Sequence, residues 1–294
     1  MTIQLPSPQD ADNLSRIISS SRVVVRLERD RTAIDPQKVT IGPFEVDDLS
    51  QTAVVETIVA VARTTARRRT WVGYALHVGG LNERGNRDYV RAMANADCVY
   101  ADGTSVVLLA KLAGAQHIER AGTTDIGWDV LRRLSTELGR PARVALLGGP
   151  DGLARRALAV LEAEAQVVGV AAEHGYHDDW GPVLARLATS RLDILLVGLG
   201  APLEMEWVER HRDRLPHCVV LTCGGWFGFV VSEEKRAPRW MRNAGLEWSF
   251  RLIQAPRRLL KRYALGMVST VGFAVLLCVQ RALRISTRID SDGT

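Results

Sequence analysis

Residues 192–202 read Leu-Asp-Ile-Leu-Leu-Val-Gly-Leu-Gly-Ala-Pro, a short unbroken apolar run, Ile194–Val197, that ends in the glycine loop Gly198-Leu199-Gly200. A strand buried on both faces has no polar alternation, and such strands belong to parallel sheets covered by helices. The pattern recurs along the chain. Trp71–Val78, Arg143–Leu147 leading into Gly148-Gly149-Pro150, Val167–Ala171, and Val219–Thr222 leading into Gly224-Gly225 read the same way. Between them lie segments of helical period: Ser105–Leu112, Ile126–Leu138, Leu153–Glu164, Val183–Ala188 and Glu204–Leu215. Strands alternating with helices of this length predict βαβ units, hence an α/β, Rossmann-like fold with a mainly parallel twisted sheet.

Four segments follow from this reading. Residues 1–38 are an extension with little periodicity beyond Val23–Val25, residues 39–235 the α/β domain, residues 236–288 a C-terminal appendage, and residues 289–294 a polar tail. The chain has 294 residues, 47% hydrophobic and 24% charged, which suffices for a sizeable core and excludes disordered, coiled-coil and collagen classes. Its net charge of +5 is unevenly placed. Residues 236–262 hold eight Lys/Arg against Glu247 alone, so this one segment is strongly basic and the remainder slightly acidic. A nucleic-acid-binding domain would spread its positive charge more widely.

After Pro238, Trp240, Leu246, Trp248, Phe250, Leu252, Leu259 and Leu260 are interleaved with arginines, which predicts amphipathic helices broken near Gly245 and Pro256. Arg251, Arg258 and Arg262 would share one face if the helix passed Pro256 without a kink. An aromatic and basic mixture suits either stacked single-stranded nucleic acid or a membrane boundary with anionic headgroups. The uncharged run Ala264–Val279 that follows favours the membrane. It is marginal in length for a span and basic on both flanks, so an interfacial helix or packing on another subunit in a homo-oligomer stays open. The N-terminus has no basic segment followed by an apolar one, and Cys98, Cys218, Cys223 and Cys278 form no CxxC pair; reduced thiols in the cytoplasm are expected.

Chemistry is sought at the strand ends, because ligands of open α/β sheets bind outside the carboxyl edge. Gly148-Gly149, Gly198-Leu199-Gly200-Ala201-Pro202 and Gly224-Gly225 are each either tight turns or loops whose N–H groups meet a phosphate. Leu203 replaces the third glycine of GxGxxG and no GxxxxGK[ST] is present, so NAD is not supported. Asp102, in Ala101-Asp102-Gly103-Thr104-Ser105, is either the N-cap of the next helix or a working carboxylate. Arg120, in the polar loop before Asp125, is either solvated or an anion ligand. His174 and His177 have a spacing that could hold a metal, although a solvated loop is the plainer reading; an Asp-x-Asp, Asp290-Ser291-Asp292, stands in the polar tail. No GxSxG elbow occurs.

Taken in order, ADCVYADGTSVVLLAKLAG, ERAGTTDIGWDVL, VALLGGPDGLARRAL, LDILLVGLGAPLEMEWV and KRAPRWMRNAGLEWSFRLIQAPRRLLKRY resemble the bacterial WecG/TagA/CpsF glycosyltransferases over about residues 39–265. The resemblance implies an inverting, metal-independent transfer, without cofactor, of an N-acetylmannosamine-type sugar or related hexose. The donor is a UDP-sugar and the acceptor is linked to polyprenyl diphosphate, at the cytoplasmic membrane face during wall teichoic acid, enterobacterial common antigen or exopolysaccharide synthesis. Asp102 matches the proposed general base and Arg120 a diphosphate-binding arginine. Gly198, Gly200 and Pro202 match the nucleotide-site loop, with Gly148, Gly149, Gly224 and Gly225 beside it; Arg251, Arg258 and Lys261 match basic appendage positions. The chain departs from the family in three places: Glu204 stands for a glutamine, Tyr74-Ala75-Leu76-His77 lacks a Thr-x-Asn, and Phe227-Gly228 replaces Phe-Asp. Glu204 can only accept hydrogen bonds from the sugar unless it is protonated. Two rival readings remain, a catalytically silent UDP-sugar-binding or assembly subunit and a basic nucleic-acid-binding module.

Overall fold

The computed structural model describes residues 37–64, 69–243 and 245–291; the side chains of Arg239, Asn243, Arg258 and residues 284–291 are outside that description. The expected extension 1–38 therefore lies outside the described residues except for Gln37 and Lys38. The described chain opens with an antiparallel hairpin, β1 (Lys38–Ile41) and β2 (Phe44–Asp47), turning at Gly42 with φ of 58°. Helix α1 (Gln51–Arg63) follows, with the Ser50 hydroxyl accepting from Ala53 N–H at its N-terminus. Next come β3 (Trp71–Leu76), α2 (Val78–Asn82), α3 (Arg87–Ala94), β4 (Cys98–Ala101) and α4 (Thr104–Leu112). The centre of the chain continues as α5 (Thr123–Leu138), β5 (Ala142–Gly148), α6 (Leu153–Ala165), β6 (Val167–Glu173) and α7 (Gly181–Thr189). It is completed by β7 (Ile194–Gly198), α8 (Leu203–His211) with a short 3₁₀ turn to Arg214, β8 (Val219–Thr222) and α9 (Trp226–Val230).

Strands β3 to β8 make one six-stranded, wholly parallel sheet in the order β4-β3-β8-β7-β5-β6. The unbroken apolar runs are explained by burial on both faces. Alternate residues enter two cores: Leu195 and Val197 pack with Tyr89, Leu109, Leu184 and Met205 on one side, Ile194 and Leu196 with Val55, Val130, Leu161 and Trp226 on the other. Several elements differ from the sequence expectation. The first strand stops at Leu76 because His77 caps α2, its Nδ1 accepting from Gly80 N–H at 3.1 Å, and the helix expected over Glu204–Leu215 ends at His211. Helices α1 and α3 were not singled out by the periodicity.

The amino edge of the sheet is fastened by buried aspartates. Asp193 accepts two hydrogen bonds from Arg140, at 2.8 and 3.0 Å, and one from Arg143 N–H at 2.8 Å. Asp97 accepts from Val72 N–H at 2.8 Å and pairs with Arg69 and Arg212. At the exposed side of β4, Asp47 accepts from Val99 N–H at 2.7 Å and so brings the hairpin against the edge strand.

The appendage consists of α10 (Arg239–Asn243), α11 (Glu247–Gln254) and α12 (Pro256–Ser291), with breaks at Gly245, φ of 72°, and at Ala255. The breaks occur where the sequence placed them. One expectation fails: because Ala255 leaves helical geometry and Pro256 starts a new helix, Arg251 does not share a helical face with Arg258 and Arg262. Helix α12 also continues to Ser291, past 288. Along α12, Leu259, Arg262, Gly266, Ser269 and Phe273 recur at three- and four-residue spacing and face the domain. Arg84 donates to Ser269 Oγ at 2.9 Å, Ser269 to Asn82 at 3.1 Å, and Asn82 to the Arg262 carbonyl at 3.0 Å. Phe273 lies over Gly42, where any Cβ would stand 2.2 Å from its ring. The opposite face exposes Leu260, Met267, Val268, Val271, Val275 and Val279. Both faces of this helix are thus largely apolar, and the inward one also carries the polar contacts of Arg262 and Ser269.

Removing the carboxylate of Asp193 leaves the part-buried Arg143 N–H without its acceptor. Asp193→Ala is expected to lower unfolding free energy by about 1–3 kcal/mol in urea titrations, since an orphaned buried donor costs about that much.

Candidate active site

A wholly parallel sheet places all six carboxyl ends on one edge, and the candidate residues gather there. His77 follows β3, Asp102 follows β4, Gly148-Gly149 closes β5, His174 follows β6, Gly198 ends β7 and Gly224 follows β8. Asp102 is not the cap of α4. The N-cap is Gly103, at φ of 111°, and no side chain caps the helix, so the carboxylate is left for other work. Its backbone N–H is bound to the Leu76 carbonyl at 2.7 Å, which registers β4 against β3 at this point. The carboxyl group lies against Gly122: a Cβ there would be 2.3 Å from Oδ1. Burial raises the Asp102 pKa above the ordinary carboxylate value, with Asp125 and Glu247 adding to the shift and Arg251 and Arg120 opposing it. A carboxyl so placed is more basic than one in water, as a proton acceptor requires.

Arginines and acids alternate beside it. Arg120 pairs with Asp125 at 2.9 Å and with Glu247 of α11 at 2.7 Å. Arg236 donates to the Thr124 carbonyl at 2.7 Å and pairs with Asp125. Arg251 reaches Glu247 at 3.4 Å and lies 4.8 Å from the Phe229 ring centre. Burial tends to raise the Glu247 pKa, but the Arg120 hydrogen bond and the charges of Arg251, Arg120 and Arg236 hold it below its usual value. Three guanidinium groups thus share two bridging carboxylates. The Nε atoms of Arg236 and Arg251 are buried and, among the described residues, have no hydrogen-bond acceptor. Two donors in that state suit an added anion.

The glycine loops are arranged differently from a simple phosphate cradle. Gly149 N–H is bound to the Gly198 carbonyl at 3.2 Å, and Gly148, at φ of 139°, passes so close that a Cβ would stand 2.2 Å from the Gly198 oxygen. The N–H groups of Gly200 and Gly224 both donate to Oε2 of Glu204, at 3.0 and 3.1 Å. Pro202 follows a cis peptide bond, and Gly225 is the N-cap of α9. Lys261 is exposed on α12, and the Arg258 side chain lies outside the described residues.

Sequence reasoning passed over several residues at this edge. Tyr176, 76% exposed, stands in the loop after β6, where Gly175 N–H is bound to the Gly149 carbonyl at 2.8 Å and Leu199 is adjacent. An aromatic just past a strand end was the available signal. Asp125 was treated only as a loop residue. His77 meets Arg262, whose Nη2 is 3.2 and 3.1 Å from its two ring nitrogens; burial, then that charge, lowers its pKa to about 3 and keeps the ring neutral. His174 and His177 stack ring on ring at 3.9 Å.

Gly122 has φ of −56°, so alanine there is conformationally allowed and acts through Asp102 alone. Gly122→Ala is expected to leave the melting temperature nearly unchanged and to lower kcat about 100-fold, the usual effect of displacing a reacting group by about 1 Å.

Residues 39–287 match the model of the Glycosyl transferase WecG/TagA/CpsF family. The N-acetylglucosaminyldiphosphoundecaprenol N-acetyl-beta-D-mannosaminyltransferase of Bacillus subtilis (strain 168) is 28% identical over 175 residues, 59% of this chain and 67% of that protein. With the match covering the whole α/β domain and nearly all of the appendage, the chain belongs to the WecG/TagA/CpsF family and is a glycosyltransferase.

Proposed function

We propose that the protein transfers an N-acetylmannosamine-type sugar from a UDP-sugar to a polyprenyl-diphosphate-linked acceptor, inverting the anomeric centre. The observation that carries the reading is Asp102, a carboxyl at the strand end whose pKa is raised by burial, beside arginines that keep donors without an acceptor among the described residues. Asp102 takes the proton of the acceptor hydroxyl as that oxygen bonds to the sugar C1; the bond from C1 to the UDP oxygen breaks, and UDP leaves with the electron pair. Charge develops on the diphosphate, and Arg120 and Arg251 meet it, so that no metal is needed. Tyr176 offers a flat surface for the uracil at the Gly148-Gly149 end. The relative named above, whose acceptor is N-acetylglucosaminyldiphosphoundecaprenol, supports the substrate class.

The site operates on the cytoplasmic face of the membrane in this reading. Leu259–Leu283 is long and apolar enough to cross a bilayer by length and composition. Its docking to α2 through Arg262 and Ser269 favours a helix lying in the interface instead, outer face in the acyl region and Lys261 among anionic headgroups.

Two measurements test these statements. Asp102→Asn should keep the fold and UDP binding while transfer to a short-chain polyprenyl-diphosphate-GlcNAc acceptor, read by mass spectrometry, falls about 10²–10⁴-fold; full activity would remove Asp102 from its role. Val268 and Val271 are 68% and 57% exposed, so the pair Val268→Asp and Val271→Asp should fold normally yet bind anionic vesicles about tenfold more weakly or worse in co-sedimentation.

A further inference from the structure

Glu204 is 3% exposed, a nearly complete burial for a carboxylate in the first turn of α8. Its Oε2 accepts from Gly200 in the loop after β7 and from Gly224 in the loop after β8, and these two strands are neighbours in the sheet. Both glycines have positive φ, 77° and 51°, so each loop is tightly turned at the point where the carboxylate holds it. One oxygen atom therefore sets the spacing of two loops on the edge that carries Asp102. The groups that face Glu204 are Tyr74 of β3, Tyr89 of α3, Cys223 after β8 and Arg262 of α12. The first three are neutral, their pKa values raised by burial and then by neighbouring charge. Arg262 is the cation among them.

We propose that Glu204 is a positioning residue that fastens the two glycine loops of the donor site and, through its charge, makes donor affinity fall as pH rises. The proposal rests on the reading of this edge as the site of a nucleotide diphosphate sugar. A protonated Glu204 still accepts one N–H strongly and adds no charge. An ionised Glu204 places a full negative charge behind the loops that adjoin the donor's two phosphates, and in a buried setting that repulsion is poorly screened. Supporting this, burial pushes the carboxyl up to about 7, with the Gly224 and Gly200 N–H groups and Arg262 opposing the shift. The sign follows from linkage. The folded-state value lies above the unfolded one, so the stability that Glu204 contributes is complete below about pH 4.5 and is lost as pH rises through about 7. An anionic ligand that prefers the neutral carboxyl loses affinity as pH rises through and above about 7, where the free protein gives up that proton.

The test uses the full chain in detergent with UDP-N-acetylmannosamine, whose diphosphate does not titrate between pH 6 and 8.5. Calorimetric Kd for the wild type is expected to rise about five- to tenfold over that range, within the limit of tenfold per pH unit for one proton. Glu204→Gln, which keeps an acceptor oxygen without charge, should show a flat Kd, and Glu204→Ala, which has no acceptor, a weak and flat one. Melting temperature without ligand is the second readout: the wild type should fall relative to Glu204→Gln between pH 6 and 8.5. Parallel pH profiles of wild type and Glu204→Gln in both measurements would overturn the proposal. Diverging melting curves with no wild-type binding at any pH would uphold the fastening of the loops, and would overturn both the pH-dependent affinity and the donor-site reading.

Discussion

The parallel sheet governs the molecule because it leaves no choice about where polarity can go. Both faces of β3, β4, β5, β7 and β8 are buried, so these strands present neither face to solvent, and charge is left to the two ends of the sheet. The amino edge is closed by aspartates that take up strand N–H groups and surface arginines, Asp193 and Asp97 chief among them. The carboxyl edge keeps its charged groups in shared and incomplete pairings. Structure and reactivity are thus divided between opposite ends of the same strands.

The appendage enters this scheme at Glu247. That residue is a member of α11, yet it is held by Arg120 of the domain as closely as it is by any group of its own segment. Removing Glu247 from the edge would leave Arg120 with Asp125 and release Arg251. The positions of the guanidinium groups about Asp102 are consequently set by a contact between two parts of the chain, neither of which holds the complete arrangement. The basic stretch 236–262, conspicuous as an excess of charge in the sequence, is partly balanced where it meets the domain, by Asp125 at Arg236 and by Glu247 at Arg251, whereas Arg262 meets a neutral His77.

Much of the fold was legible because burial on two faces writes unbroken apolar runs, and glycine loops mark where they end. The runs at Arg143–Leu147, Ile194–Val197 and Val219–Thr222 became β5, β7 and β8 with little change. The breaks near Gly245 and Pro256 were legible from the intrinsic geometry of those residues. What escaped was information carried by backbone conformation and by hydrogen bonds that no periodicity records. The choice between cap and working carboxylate at Asp102 turned on the φ of Gly103, and the burden on Gly200 and Gly224 on the bonds their N–H groups donate to Glu204. The face of α12 that meets the domain could not be read from an apolar stretch whose two sides have similar composition. Tyr176 and Asp125 acquire their setting only when β6 and α5 are placed beside β5 and the appendage.

The docking of α12 has a bearing on the order in which the molecule assembles. Ser269 and Asn82, which are bonded to each other, are 187 residues apart in the chain, and Arg262 and His77 are 185 apart. Domains form as units during synthesis, N-terminal parts first, while contacts of such separation must wait for both partners to exist. The sheet takes no strand from α12, and that helix adds only its Phe273 side to one core, so most of the domain can form while the helix is still emerging. On emerging, α12 meets a largely formed surface and covers Gly42 with Phe273, which makes docking a late step in biogenesis.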